Sequence, residues 1–412
     1  MDTFITTIVV TAALIFATAT SALGDELPVF RVGVLNDQSG LYSDIAGLGS
    51  VEAARMAVED FKPEQHGFRV EILAADHQNK PDVGANIVRQ WIDRDQVDVI
   101  ADVPTSSIAL AVAEIVREKD KVFLIASAGT SDLTGRACTP NNVHWTYDTW
   151  ALANGTARAV IASGGDTWYF LTADYAFGHA LERDAATVVT ANGGRVLGSV
   201  RAPFQTNDFS SFLLQAQNSG AKIIALANSG GDTIASVKQA GEFGITEGSQ
   251  KLAGLLVFLT DVHSIGLETA QGLLLTEAFY WDLNEETRAW THRFAVRNGG
   301  RYPTMNQAGT YASILHWMKA VADMPDKSQA RLGAGTVARM KEIPTEDPLF
   351  GKGSIRVDGR TIHDMYLFEV KQPSESKQPY DYYKLVSTIP GDQAFRPLKQ
   401  SECKLVKPVG GQ

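Results

Sequence analysis

"VIADVPTSSIALA" (99–111) runs a short apolar strand into Thr105, Ser106 and Ser107 and then into a helix-like stretch. "LIASAGTSDLT" (124–134) repeats the pattern, placing Ser127, Thr130 and Ser131 where its strand stops. Two such strand ends, about twenty residues apart with a helix between them, are the signature of neighbouring parallel strands joined by a crossover. Working outward, the same alternation extends in both directions. "FRVGVLN" (30–36), "FRVEILAAD" (68–76) and "VDVIAD" (97–102) read as strands, and "SVEAARMAVEDF" (50–61) and "DVGANIVRQWI" (82–92) as the helices between them. "VHWTYDTW" (143–150) interrupts the rhythm, which restarts with strands at 167–174, 195–203, 221–227 and 251–258, separated by helices. The spacing predicts an α/β protein of two doubly wound lobes, with parallel sheets covered on both faces. Ligands in such sheets sit beyond the carboxyl ends of the strands, so two lobes facing each other by those ends enclose a cleft.

The remaining third, with helices at 285–299 and 307–323 and late strands at 353–358, 364–371 and 380–387, is too short for a third lobe and is expected to complete the other two. The expected division is lobe one over 28–146 plus 279–352, lobe two over 147–278 plus 353–400, and a tail over 401–412. Residues 1–24 read as a cleavable signal peptide, with an apolar run and small residues near Ala22 and Gly24, although Asp2 stands where a lysine or arginine is usual. The chain is then expected outside the cytoplasm. There the two cysteines, Cys138 and Cys403, form an even pair expected to bridge. A formal net charge of −10 argues against nucleic acid and anionic membranes as partners.

The sequence lacks the spacings of a P-loop, a nucleophile elbow or an H-E-x-x-H zinc site, and its eight histidines are scattered. "GLGSVE" (47–52) follows a loop and lacks the third glycine of a dinucleotide fingerprint, and "DHQNKPD" (76–82) reads as a loop entering a helix. Binding without catalysis, cofactor or metal is therefore expected. Each of Thr105, Ser106, Ser127 and Thr130 has two readings, as a helix cap or as a donor to a ligand. Together, hydroxyls and helix-start N–H groups on neighbouring strands suit a carboxylate.

"RVGVLNDQSGLYSDIAGLGSVEAARMAVEDF", "DHQNKPDVGANIVRQWID", "VPTSSIALAVAEIV", "SAGTSDLTG" and "ADYAFGHAL" resemble, in order, the landmarks of the branched-chain amino-acid (Leu/Ile/Val-binding) type of ABC-transporter solute-binding protein. The resemblance implies the type I periplasmic fold: two Rossmann-like lobes, a hinge of three crossing strands and an interlobe cleft. It implies a small-molecule ligand, delivery to permease subunits in the inner membrane, and a periplasmic location. A monomer is expected. By the same resemblance, Thr105 and Ser106 with Ser127, Ala128 and Thr130 form a carboxylate clamp. Tyr42, Tyr175 and Phe177 are walls, and Asn228 and Ser229 lie at the lobe-two strand end. Where amino-acid binders carry a glutamate for the ligand ammonium, this chain has Leu255, Leu256, Val257 and Phe258, with Asp261 the nearest acid. A carboxylate with an apolar or aromatic body, lacking the amine, is thus expected, with Tyr147, Tyr280 and Trp281 as further candidate walls. The alternatives are a branched-chain or aromatic amino acid or amide, or a sensing module serving a membrane receptor.

Overall fold

The structure, a computed structural model, describes residues 26–245 and 248–407. The expected signal peptide, and residues 408–412 of the expected tail, lie outside the described residues.

The first sheet holds β1 (Val29–Asn36), β2 (Arg69–Asp76), β3 (Val99–Asp102), β4 (Val122–Ile125) and β5 (Asn142–His144), all parallel, in the order β2-β1-β3-β4-β5. Helices α1 (Gly47–Phe61), α2 (Pro81–Asp93) and α3 (Ser106–Glu118) make the crossovers. β3 and β4 are buried throughout, as continuous apolar runs in a doubly covered sheet require. Leu35, Ile100 and Phe123 point to one face with Trp91 and Val112 from α2 and α3, while Val32, Ala101 and Leu124 join the core on the other. Gly33 is needed for this, because a Cβ there would lie 2.5 Å from the Trp91 ring.

After β5 a broken helix, α4 (Thr149–Leu152), passes through a π turn over 153–157 into α5 (Arg158–Ala162). The second sheet repeats the plan of the first. β6 (Thr167–Ala173), β7 (Arg195–Ala202), β8 (Ile223–Ala227) and β9 (Lys251–Gly254) run parallel in the order β7-β6-β8-β9, with helices α6 (Ala176–Ala191), α7 (Ser210–Asn218) and α8 (Gly231–Glu242). The strand order reverses between β1 and β3 and again between β6 and β8, the two points where such sheets open a crevice.

The strand expected over 251–258 stops at Gly254. Leu255–Phe258 form a buried turn into α9 (Leu259–Ile265), which α10 (Leu267–Ala270) follows. Val257 folds back onto Gly254, and burial on all sides produces an apolar run indistinguishable in sequence from a strand. The expected strand at 353–358 likewise ends early, where Arg356 N–H bonds to the Arg360 carbonyl across Gly359 at φ +86°.

The final third serves both sheets. β10 (Leu274–Glu277) belongs to an antiparallel sheet with β14 (Met365–Val370) and β15 (Tyr383–Ile389), and Thr276 in it meets Thr156 of the π turn at 2.9 Å. Helices α11 (Glu285–Arg297) and α12 (Met305–Asp323) pack on α1, where Thr304 Oγ1 donates to the Ile45 carbonyl and Tyr311 to Asp60. α13 (Gly333–Glu342) and a small sheet of β11 (Thr345–Asp347), β12 (Gly351–Ile355) and β13 (Thr361–Ile362) follow. This sheet sits beside β5, with His144 N–H bonded to the Gly359 carbonyl and His363 Nε2 to the Trp145 carbonyl. Cys138 and Cys403 are bridged, closing 265 residues of sequence separation at a Cα distance of 5.6 Å.

Candidate functional site

At the end of β1, Asp37 accepts hydrogen bonds from Gly40 N (2.7 Å), Tyr42 N (2.8 Å) and Asn79 Nδ2 (2.5 Å). A carboxylate gathering backbone N–H groups folds "DQSGLY" into a turn that presents Tyr42. Asn79, in the turn after β2, accepts in turn from Thr105 Oγ1 at 2.5 Å. Asp102 ends β3 and takes Asn36 Nδ2 (2.8 Å) and the hydroxyl of Ser127, just beyond β4. Asp102 and the β-branched Val103 both have positive φ, 78° and 56°. That strained corner turns the chain so that Thr105 and Ser106 stand over the strand ends.

The two readings of the hydroxyls separate here. Thr130 is a cap, accepting from Asp132 N at 3.4 Å over the turn 131–134. Thr105 occupies the N-cap position of α3 but its side chain makes no capping bond. Ser106 Oγ accepts from Thr130 N (3.2 Å), tying the β3 and β4 ends together, and the Ala128 carbonyl bonds to His144 Nε2 (2.7 Å).

Lobe two closes directly on this cluster. Tyr175, at the end of β6, shares a 2.5 Å hydrogen bond with Tyr42 across the lobes, and the Phe204 ring lies 4.4 Å from Tyr175 and 5.6 Å from Tyr42. Phe177 and Tyr147 converge on Gly129, where a Cβ would stand 2.7 Å from one ring and 3.0 Å from the other, so only glycine admits both. Tyr147 OH donates to the Ser127 carbonyl (2.6 Å), and Phe258 meets Tyr147 edge-on at 6.3 Å. At the end of β8, Gly230 and Gly231 press on Leu41 and Tyr42.

The structure thus gathers Tyr42, Thr105, Ser106, Ser127, Ala128, Thr130, Tyr147, Tyr175 and Phe177 at one place. Ser229 is buried at the β8 end. The Asn228 side chain is engaged with Ser236 and Thr233 of α8, which follows it, and Asp261 accepts from Phe258 N at 2.9 Å, closing the turn before α9. Tyr280 and Trp281 do not join the walls: both donate to the Tyr380 carbonyl.

Buried acids surround the cluster. Burial pushes Asp102 up to about 6, against the bonds from Ser127 and Asn36. It pushes Asp261 up to about 7 and Glu277 well above the usual carboxyl range, with the Asp261 charge adding to the effect on Glu277. The Glu277 carboxyl accepts only from Tyr383 OH, at 3.2 Å, among the described residues. The buried Arg360 donates to the Tyr147 carbonyl (2.9 Å) and faces Asp148 at 3.6 Å, which fixes Tyr147 and leaves the acids without that charge. Asp37, Asn79, Asp102, Phe204 and Glu277 were missed from sequence. Glu277 carried the same signal as Asp102, a lone acid ending an apolar strand, and Asp37 and Asn79 lie in turn-forming stretches at strand ends. A surface cavity of about 350 Å³, lined by Val160, Lys222, Ile223 and Lys251, shares no residue with the cluster.

Residues 29–378 match the family model described as periplasmic binding protein. The chain is similar to a periplasmic binding protein from Burkholderia mallei, with 49% identity, TM-score 0.88, and coverage of 92% of this chain and 99% of the other. A branched chain amino acid ABC transporter periplasmic ligand-binding protein from Burkholderia xenovorans LB400 shows 39% identity and TM-score 0.80, over 92% of this chain and 100% of the other. A Leu/Ile/Val-binding protein homologue of Brucella melitensis is 25% identical over 383 residues, 89% of this chain and 94% of the relative.

Proposed function

The chain belongs to the periplasmic binding protein family, the solute-binding components of ABC transporters rather than enzymes, and from that premise we propose that it captures a small carboxylate with an apolar or aromatic body between its lobes and delivers it to an inner-membrane permease. The observation that carries this reading is the closure of Tyr175 and Phe177 over the hydroxyl-bearing ends of β3 and β4. α3 begins there without a side-chain cap, so its first N–H groups and the Ser106 hydroxyl are donors for a carboxylate. Tyr147, Phe177 and Phe258 supply the apolar walls. On this reading residues 1–24 are removed on export and the mature protein works as a monomer in the periplasm.

A second reading adds an ammonium to the ligand. Glu277 and Asp261 favour it, because two buried carboxyls with no cationic partner among the described residues are the environment an ammonium would compensate. Calorimetry on phenylpyruvate and phenylalanine separates the two. The first reading expects the keto acid to bind about a hundredfold more tightly, roughly 3 kcal/mol. Tighter binding of the amino acid refutes it and supports the second, and binding of neither removes the aromatic body from both.

A further inference from the structure

Residues 371–382, between β14 and β15, form a strap with its own internal bracing. Lys371 pairs with Asp381, Lys371 N bonds to the Tyr382 carbonyl (2.8 Å), and Lys377 N donates to Asp381 at 2.9 Å. At its end Tyr380 is held at φ +67°, a conformation that an aromatic L-residue adopts only when its surroundings impose it. Its carbonyl is clamped by Tyr280 OH (3.0 Å) and Trp281 Nε1 (2.7 Å). Its ring lies between two others, His263 at 4.8 Å and 18° and Tyr302 at 4.7 Å and 10°.

Those two plates come from different lobes. His263 is on α9, directly after the second sheet, and its Nδ1 also bonds to Tyr382 OH at 2.7 Å. Tyr302 lies between α11 and α12, where its neighbours Arg301 and Thr304 bond to Asp44 and the Ile45 carbonyl of lobe one. The strap therefore holds one ring of each lobe against a single strained residue.

We propose that Tyr380 is a positioning residue for solute capture, which sets how firmly the lobes stay closed by stacking between His263 and Tyr302 rather than by touching the solute. Separating the lobes must pull at least one plate from the stack and expose an aromatic face on each side. The proposal rests on the two-lobed closure of the family and not on the identity of the solute.

The test places nitroxide labels on the exposed Arg89→Cys and Gln215→Cys positions, one per lobe, in the mature chain with its disulfide intact. Interlobe distances are measured by pulsed electron resonance, without solute and with saturating phenylpyruvate or phenylalanine. The expected result is a closed population in the parent that falls severalfold in Tyr380→Ala and in His263→Ala, and is restored in Tyr380→Phe, which keeps the stacked ring. His263 is exposed, so His263→Ala decides the matter should Tyr380→Ala fail to fold. Equal closed fractions in the parent and His263→Ala, or a parent with no closed population under any of these conditions, overturn the proposal. Calorimetric preference between the two acids is unaffected by either outcome, so the ligand reading stands or falls separately.

Discussion

Asp261→Asn should make the protein less sensitive to rising pH. Asp261 is buried, its carboxyl is pushed up to about 7 by burial and by the charge of Asp44, and it faces Glu277 on β10 and Tyr383 on β15. A carboxyl raised in the folded state keeps its proton there while the unfolded chain, at about 3.9, has lost it. Stability from this group is therefore intact at low pH, falls as pH climbs from about 4 to about 7, and is flat above. From pH 5 to pH 8 the interval still to be traversed is about two pH units, or roughly 3 kcal/mol lost by the parent on this account. The asparagine variant keeps an oxygen to accept from Phe258 N at the same 2.9 Å site, so the turn before α9 should survive. Urea unfolding at the two pH values, followed by tryptophan fluorescence, gives the difference directly. Asp102, Asp232 and Glu277, also raised by burial, remain in both proteins, as do His77, His316 and His363, which burial lowers to about 4. The contributions of Asp102, Asp232 and the histidines cancel in the comparison, and Glu277, freed of the Asp261 charge in the variant, is raised less there and moves the difference the same way. Identical pH dependence in parent and variant would refute the reasoning.

Tyr42→Phe and Tyr175→Phe each remove the hydroxyl bond between Tyr42 and Tyr175 across the lobes while keeping the rings. Calorimetry with whichever of phenylpyruvate or phenylalanine binds should show affinity reduced about 2- to 10-fold, with an unchanged unfolding midpoint. Ser106→Ala should weaken that binding by about 1–3 kcal/mol, whereas Thr130→Ala, which loses a cap, should lower thermal stability by about 1 kcal/mol and affect affinity less. Thiol titration of the unreduced, unfolded protein should find no free thiol. Replacing both Cys138 and Cys403 with serine should cost up to about 5 kcal/mol of stability, since the bridge closes 265 residues of chain; two free thiols in the parent would contradict the bridge.

Alternating apolar strands and amphipathic helices are written in local periodicity, so the two doubly wound lobes, with their strand ends facing each other, were legible from residues 30–258 alone. The strand-end hydroxyls were legible too, because each follows an apolar strand directly, and β3 and β4 pair in the sheet so that their ends lie side by side. What each hydroxyl does was not. Thr105 reaches Asn79 across 26 residues, and Tyr42 meets Tyr175 across 133. No window of sequence contains both partners of such a pair. Leu255–Phe258 show the converse error: a turn buried on every side has no polar face, and periodicity then reads it as a strand. Glu277 and Tyr380 lay furthest from reach. The first matters because the tertiary structure buries it with no cationic partner among the described residues, the second because the fold brings His263 and Tyr302 to its two faces, and both depend on long-range packing that local residue preferences do not encode.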